Sequence, residues 1–310
     1  MKNLIVVFLI LVGHYLTAQQ LPYFQQKLTD GFMFNPAYTG VSGGALSFNH
    51  KRLWAGISES PEINYLSVHS NLWIPNIGVG GSFYSEKLNL IGNTRASLST
   101  SYTIGLNESF QLSFGIGTEV WQTNIDQGRV FARDPDDPLL LLDRKVASDI
   151  SAGFLLVHSL FDVGVSYARL ASGWSSNENP LLNSFISATM NGYLPVRFGY
   201  DILEPRILYQ ANKLGADLLQ SSVFYTYDNK YMLGLTYRTN AVGGLSLGLR
   251  LENRYFISYT SERRLDSSGS DLGTGHEITL RYDFNRQFFR RVNPSEKEPL
   301  RSNTVKKKGN

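Results

Sequence analysis

The chain has 310 residues, a formal net charge of +3 and no cysteine, which excludes disulfides and thiolate metal sites. Charged residues make up 18% of it, below the ~25% of soluble domains, and glycine, tyrosine and phenylalanine are abundant. The positive balance belongs to residues 286–310, which hold eight Lys/Arg and two acids, so the body of the chain has no basic face for nucleic acid. This composition favours a membrane β-barrel over a helical membrane protein or an ordinary soluble domain.

The first residues have the pattern of a secretory signal peptide. Lys2 precedes a short apolar stretch from Leu4 to Leu16, and Ala18 ends a plausible cleavage site, so residues 1–18 are the predicted signal. Residues 19–42 then form an irregular lead-in that contains Pro22, Gly31, Pro36 and Gly40. We expect this lead-in on the periplasmic side, as a plug or a docking segment.

From Gly43 onward, apolar and polar residues alternate with the period of a β-strand. The clearest stretch is 93–121, where Leu98 and Tyr102 fall on one face and Arg95 and Ser97 on the other. Strands of roughly 10 residues are what a tilted strand needs to cross a bilayer. About fourteen strands are predicted, at 43–54, 61–74, 77–87, 93–106, 109–123, 146–157, 160–169, 191–202, 205–212, 216–227, 230–238, 244–252, 254–262 and 275–285.

The connections between these strands alternate in length, tight at one end and mostly longer at the other. This asymmetry is typical of outer-membrane barrels, and an even strand count places both termini at the periplasmic side. Charged residues inside the strands, such as Glu119 and Arg250, fall on the polar face, whereas a lipid-facing Arg or Lys would cost ~2–4 kcal/mol. The sequence therefore predicts an all-β, antiparallel transmembrane barrel over residues 43–285; a soluble propeller or sandwich is the alternative.

Catalysis is not predicted. His69 and His158 are the strand-borne candidates for a barrel lipase, but neither has a recognisable partner motif. We expect no catalytic residue, no cofactor and no metal. The acidic run Asp134-Pro135-Asp136-Asp137-Pro138 in the longest central loop has two interpretations, a calcium-binding cluster or a polar proline turn.

Two further segments carry open alternatives. Leu139, Leu140, Leu141 and Leu142 follow that acidic run in a loop predicted to be extracellular. Four consecutive leucines should not remain in water, so they either fold over the barrel mouth or dock another protein. The basic tail, residues 286–310, is either a disordered periplasmic end or a tether to an acidic partner.

Several motifs resemble the PorP/SprF family of the type IX secretion system. The opening Asn35-Pro36-Ala37-Tyr38-Thr39-Gly40 is similar to that family's start, as are Arg52 and Trp54 a few residues later. Asp136, Asp137 and Pro138 resemble its central loop signature. Gly275, His276 and Glu277, before the final strand, resemble its C-terminal landmark.

The resemblance implies an outer-membrane barrel that serves secretion. The implied partners are outer-membrane lipid, the C-terminal domain of a secreted cargo such as a gliding adhesin, and the periplasmic and outer-membrane components of the machinery. The motif residues named above and the four leucines are the expected family and docking positions. A passive porin and a barrel lipase are the competing functions.

Overall fold

The computed structural model describes residues 24, 31–41, 43–72, 76–107, 109–126, 144–174, 184–213, 216–252, 254–266 and 273–285. Within them, one 15-stranded antiparallel sheet contains nearly all of the secondary structure. Its strands are β1 Gly44–Arg52, β2 Glu62–Asn71, β3 Ile77–Leu88, β4 Ile91–Gly105, β5 Phe110–Ile125, β6 Arg144–His158, β7 Phe161–Ala168, β8 Phe185–Gly192, β9 Leu194–Val196, β10 Asp201–Asn212, β11 Leu218–Tyr227, β12 Tyr231–Arg238, β13 Val242–Leu251, β14 Tyr255–Arg264 and β15 Gly275–Asn285. A short helix, α1 (Leu170–Trp174), follows β7. No helix among these described residues has the length and apolar character needed to span a bilayer.

The sheet closes on itself. β15 pairs with β1 along its length, and β10 pairs with β11. β8 and the short β9 lie end to end beside β10, so the cylinder has 14 strand positions. Closure removes the open sheet edges that cannot exist in lipid. The predicted fold, a closed antiparallel barrel of about fourteen strands, is confirmed.

Side chains alternate between an apolar exterior and a polar interior. Leu98 is 70% exposed and Leu247 is 55% exposed, and both point outward. Their neighbours on the opposite face, Ser97 and Ser246, point into the barrel. Since adjacent residues of a strand face opposite sides, this placement gives lipid an apolar band and leaves the polar groups inside.

The two ends of the barrel differ. Gly44 pairs with Asn285 at the end where consecutive strands join by tight turns, so both termini of the barrel lie there. Close to this short-turn end, Tyr227, Tyr231 and Tyr255 are about half exposed on the outer face. Tyrosine rings at this depth suit the boundary between lipid and water, because one end of the ring is apolar and the other polar.

One part of the strand prediction is wrong. The predicted strand 191–202 is divided among the end of β8, the three-residue β9, a 3-10 turn at Arg197–Gly199 and the start of β10, and β8 begins at Phe185 inside the predicted loop 170–190. The predicted turn before 205–212 lies inside β10. Pro205 has no N–H to donate, and the ladder between β8 and β10 is interrupted opposite it, where its ring packs against Gly192.

Candidate functional site

Residues 31–41, here called the inner segment, lie inside the barrel before β1. Two single-turn 3-10 helices, Gly31–Met33 and Pro36–Tyr38, make it compact. Asn35 caps the second turn with an extended backbone, and its Oδ1 accepts a hydrogen bond from the Ala37 N–H at 2.8 Å. Proline suits the first position of such a turn because its missing N–H would have no partner there. Local sequence therefore fixes the shape of this segment.

Asn35 also fastens the segment to the barrel wall. Its Nδ2 donates to the carbonyl oxygen of Phe154 in β6 at 3.0 Å and lies 3.4 Å from that of Val165 in β7. The side chain is almost fully buried, with 1% of its surface exposed. One amide thus caps a turn and bonds two neighbouring strands, and its loss would leave buried groups unsatisfied.

Tyr38 anchors the segment to β7 and β8. Its hydroxyl donates to Asp162 Oδ1 at 2.7 Å and lies 3.1 Å from Thr189 Oγ1. Asn191 and Tyr193 also donate to the Asp162 carboxylate, at 2.6 and 2.8 Å. Burial, and secondarily the Asp162 charge, raise the pKa of Tyr38 well above its ordinary value. The phenol therefore stays protonated and keeps donating at physiological pH.

Polar side chains of the wall also bond to the backbone of the inner segment. Ser101 donates to the Thr39 carbonyl at 2.6 Å, Ser113 to the Ala37 carbonyl at 2.8 Å and Ser166 to the Phe34 carbonyl at 2.6 Å, while His69 Nδ1 accepts from the Gly40 N–H at 3.2 Å. A non-strand segment buried in a membrane protein needs such partners for its backbone groups. These bonds reach β2, β4, β5 and β7.

Glycines on the inner face of the wall make room for the segment. A Cβ at Gly115 would overlap the backbone of Pro36 and Ala37, and one at Gly78 would overlap the Thr39 carbonyl. At Gly153 it would overlap the Asn35 side chain. The close approach thus depends on residues that lack side chains, and none of these glycines belongs to a predicted motif. Repeated glycines on the polar face of consecutive strands were the available signal.

On the long-loop side of the inner segment, the barrel interior contains aromatic and charged side chains. Tyr84 stacks on Trp121 with ring centroids 5.8 Å apart. Glu119 binds Arg95 at 3.3 Å and Arg169 at 2.9 Å. A small cavity of about 40 Å³ between this cluster and the inner segment has a mixed polar and apolar lining and room for a few waters. These side chains of the barrel strands and of Arg169 therefore fill part of the barrel interior.

Among the described residues, the other predicted motif positions lie at the opposite, long-loop end. Arg52 pairs with His276 across the seam where β15 meets β1. Glu277 is fully buried and lies 3.5 Å from Lys51 Nζ, which also contacts Glu262. Trp54, in the connection after β1, adopts a left-handed backbone. Gly275 begins β15. The motif residues that the structure describes thus form two separate groups, one at the seam and one inside the barrel.

Comparison with protein families decides the identity. The model of the type IX secretion system membrane protein PorP/SprF matches residues 16–282. The chain belongs to the PorP/SprF family. This confirms the resemblance drawn from the motifs, and it makes the protein a membrane component of the type IX secretion system. The fold and the family together place this PorP/SprF barrel in the outer membrane.

Solved structures similar to the PorP/SprF barrel are outer-membrane barrels of low sequence identity. Omp33 of Acinetobacter baumannii is 5% identical with a TM-score of 0.49, covering 79% of this chain and 100% of its own. The toluene transporter TodX of Pseudomonas putida is 9% identical with a TM-score of 0.48, and the match covers 83% of this chain and 94% of TodX. The KdgM porin is 11% identical with a TM-score of 0.39, and the match covers 77% of this chain and 99% of KdgM. No curated protein matches the chain.

Several predicted positions lie outside the described residues. They include the signal peptide, Asp136, Asp137, Pro138, Leu139, Leu140, Leu141, Leu142 and the basic tail. The two histidines considered for catalysis have other surroundings. His69 accepts from Gly40 of the inner segment, and His158 lies between the rings of Phe110 and Phe161 at 4.8 and 5.0 Å. In the part of the chain that the structure describes, no group of three or more His, Asp or Glu could hold a metal ion.

Proposed function

We propose that this PorP/SprF barrel is a non-catalytic component that supports the export of one specific cargo protein, such as an adhesin, and its attachment to the cell surface. It would meet the C-terminal domain of the cargo outside the cell and other machinery components in the periplasm. The family supports the secretion role. The seating of the inner segment is the structural observation that carries the proposal.

The inner segment supports a protein-binding role over free diffusion. Its bonds to strands β2 and β4–β8 occupy one side of the interior near the short-turn end. A diffusion pore needs an unobstructed polar passage. We propose that residues 31–41 act as a plug, with the short-turn end and both termini facing the periplasm.

The long-loop end is the proposed cargo side. At this end β5 is joined to β6 through residues 127–143, and α1 is joined to β8 through residues 175–183. They include Asp136, Asp137 and Pro138 and the run from Leu139 to Leu142. An apolar run next to acidic and proline residues is a suitable docking sequence for a protein partner.

Deletion of residues 134–142 tests this proposal. The barrel should still insert, because the deletion leaves every strand intact, but the cognate cargo should pass from the cell surface into the medium. Removal of residues 267–272, in another connection at the same end, is the matched control and should leave the cargo attached. Quantitative mass spectrometry of surface and medium measures both. Unchanged surface retention in the 134–142 deletion would contradict the proposal.

A passive porin is the second candidate, and one observation favours it. The cylinder has 14 strand positions, and it is therefore wider than the 8-stranded barrels whose own side chains fill the interior. A barrel of this size can leave a passage beside the inner segment. Conductance of the purified barrel in planar bilayers separates the two functions. The secretion proposal expects little conductance with the inner segment in place, and large steady currents would favour the porin.

A further inference from the structure

Three neighbouring strands are unusually long. β4, β5 and β6 contain 15, 16 and 15 residues, whereas β7 and β8, next in the cylinder, contain 8 each. All of them reach the short-turn end, where Val157 of β6 still pairs with Asp162 of β7. The additional length therefore extends at the long-loop end, where β6 rises beyond β7.

Because of this difference, part of β6 has no hydrogen-bonded strand on its β7 side among the described residues. β6 pairs with β5 from Arg144 to His158, but its pairing with β7 begins only at Ala152. Among the described residues, 144–151 therefore have strand partners on one side alone. An unpaired edge of this length presents N–H and C=O groups that another strand can bind.

The hydrogen bonds near Asp149 show which groups face the edge. The Ile150 N–H donates to Asp149 Oδ1 at 2.7 Å. Since backbone groups alternate along an antiparallel strand, the N–H and C=O of Val146 and Ser148 point to the same side. Asp149 also accepts from the Ala171 and Ser172 N–H groups at 2.9 Å each, which holds α1 on the inner side of the wall.

The side chains along this edge define what could pair with it. Val146 is 59% exposed and Ile150 is 46% exposed on the outer face, while Lys145 and Asp149 lie on the inner face. An incoming strand would place apolar or β-branched residues opposite Val146 and Ile150 and an acidic residue opposite Lys145, because directly opposed residues interact most strongly. The carboxylate of Asp149 is already satisfied by α1.

We infer that residues 144–151 of β6 accept an extended strand of the secreted cargo, which adds to the barrel wall above β7. The inference rests on the proposed function, because it requires a partner outside the cell. A second copy of the chain fits poorly. Two barrels inserted in the same direction have β6 strands that run the same way across the membrane, so they could pair only in parallel, which is less stable per residue than the antiparallel pairing open to a cargo strand. Backbone pairing would give affinity, and the alternating side chains would give specificity.

The test begins by defining the cargo. Surface proteins of cells with and without the full-length barrel are compared, and the proteins lost without it are the cargo candidates. A photoreactive p-benzoylphenylalanine is then placed at Ser148, and for comparison at the inward-facing Ser97, in intact cells. Cross-linking from position 148, and not from position 97, to a protein lost on deletion is the expected result.

Two substitutions complete the test. Ser148→Pro removes the edge-facing N–H while the ladder to β5 keeps its bonds, and Ser148→Ala removes only the hydroxyl. Surface retention of the cross-linked cargo should fall on the order of tenfold in S148P, the factor expected for about one lost hydrogen bond and a blocked edge, and remain unchanged in S148A. Barrel amount in the outer membrane must be equal in both.

The outcomes separate the two proposals. If deletion of the barrel removes cargo but position 148 cross-links only to residues 175–183 of the same chain, to lipid or to nothing, the edge is not the docking site and the inference is overturned. Equal retention in S148P and S148A also overturns it. If deletion of the whole barrel changes no surface protein, the proposed function itself fails.

Discussion

The two sides of the barrel fill their interiors differently. Strands β2 and β4–β8 receive the inner segment, whose backbone is bonded by wall side chains such as Ser113 and Ser166. Strands β11, β12 and β14 instead fill the space with their own side chains, a cluster of Phe224, Met232 and Phe256. The inner faces of the strands thus provide a polar binding surface for the inner segment on one side of the barrel and a small apolar core on the other.

Glycines make room for close contacts on both sides of the barrel, but the groups that they admit differ. Gly115 and Gly153 make room for the backbone and side chain of another segment, residues 35–37. Gly234 and Gly248 make room for the rings of Phe224 and Phe256, which belong to the wall itself. A substitution therefore has different consequences: at Gly115 it meets rigid backbone, and at Gly234 or Gly248 it meets a side chain that can rotate.

Gly115→Val is expected to give the largest effect. Its side chain would overlap the Pro36 and Ala37 backbone, so the inner segment should leave its seat while the barrel remains folded. We expect a clear rise in bilayer conductance and rapid proteolysis within residues 31–41. Gly234→Val is the matched control, because it disturbs Phe224 and Ser246 in the wall and should leave the inner segment protected. Equal protection of the segment in both variants would show that it is not held by close contact at Gly115.

Asn35→Ala is expected to have an intermediate effect. It removes the cap on Ala37 and leaves the Phe154 carbonyl without this donor, which should destabilise the seated segment by about 1–3 kcal/mol. Hydrogen exchange of residues 31–41 measures the change. Asn49→Ala, which removes the acceptor for Thr279 in the wall, is the control and should leave that exchange unaltered. A wild-type exchange rate in Asn35→Ala would mean that the amide does not secure the segment.

Tyr38→Phe is expected to have the smallest effect, about 1 kcal/mol, because Asp162 keeps Asn191 and Tyr193 as donors. It should also remove a pH dependence. Since the pKa of seated Tyr38 is raised, its contribution is complete below the ordinary tyrosine pKa of about 10 and is lost as pH rises further. Protease accessibility of residues 31–41 should therefore increase above about pH 10 in the wild type and less steeply in the variant. Identical pH profiles would contradict this assignment.

The sequence predicted the barrel well and the interior poorly. Alternation in β4 and β5 identified the long strands, because their faces meet lipid and the polar interior with a strict period of two. The region around β8–β10 was missed because Pro195 and Pro205 obscure the strand pattern. The seat of Asn35 could not be predicted, since its partners Phe154 and Val165 are 119 and 130 residues away and the contact depends on closure of the whole cylinder.

Hydrogen exchange of the unmodified protein in lipid nanodiscs, followed by mass spectrometry, tests the central claim most directly. If the inner segment is seated as described, the amides of Ala37, Tyr38 and Gly40 should exchange about as slowly as those of β5, because each is hydrogen-bonded within the barrel. Exchange of residues 31–41 at the rate of an unstructured peptide, with β5 still protected, would contradict the account.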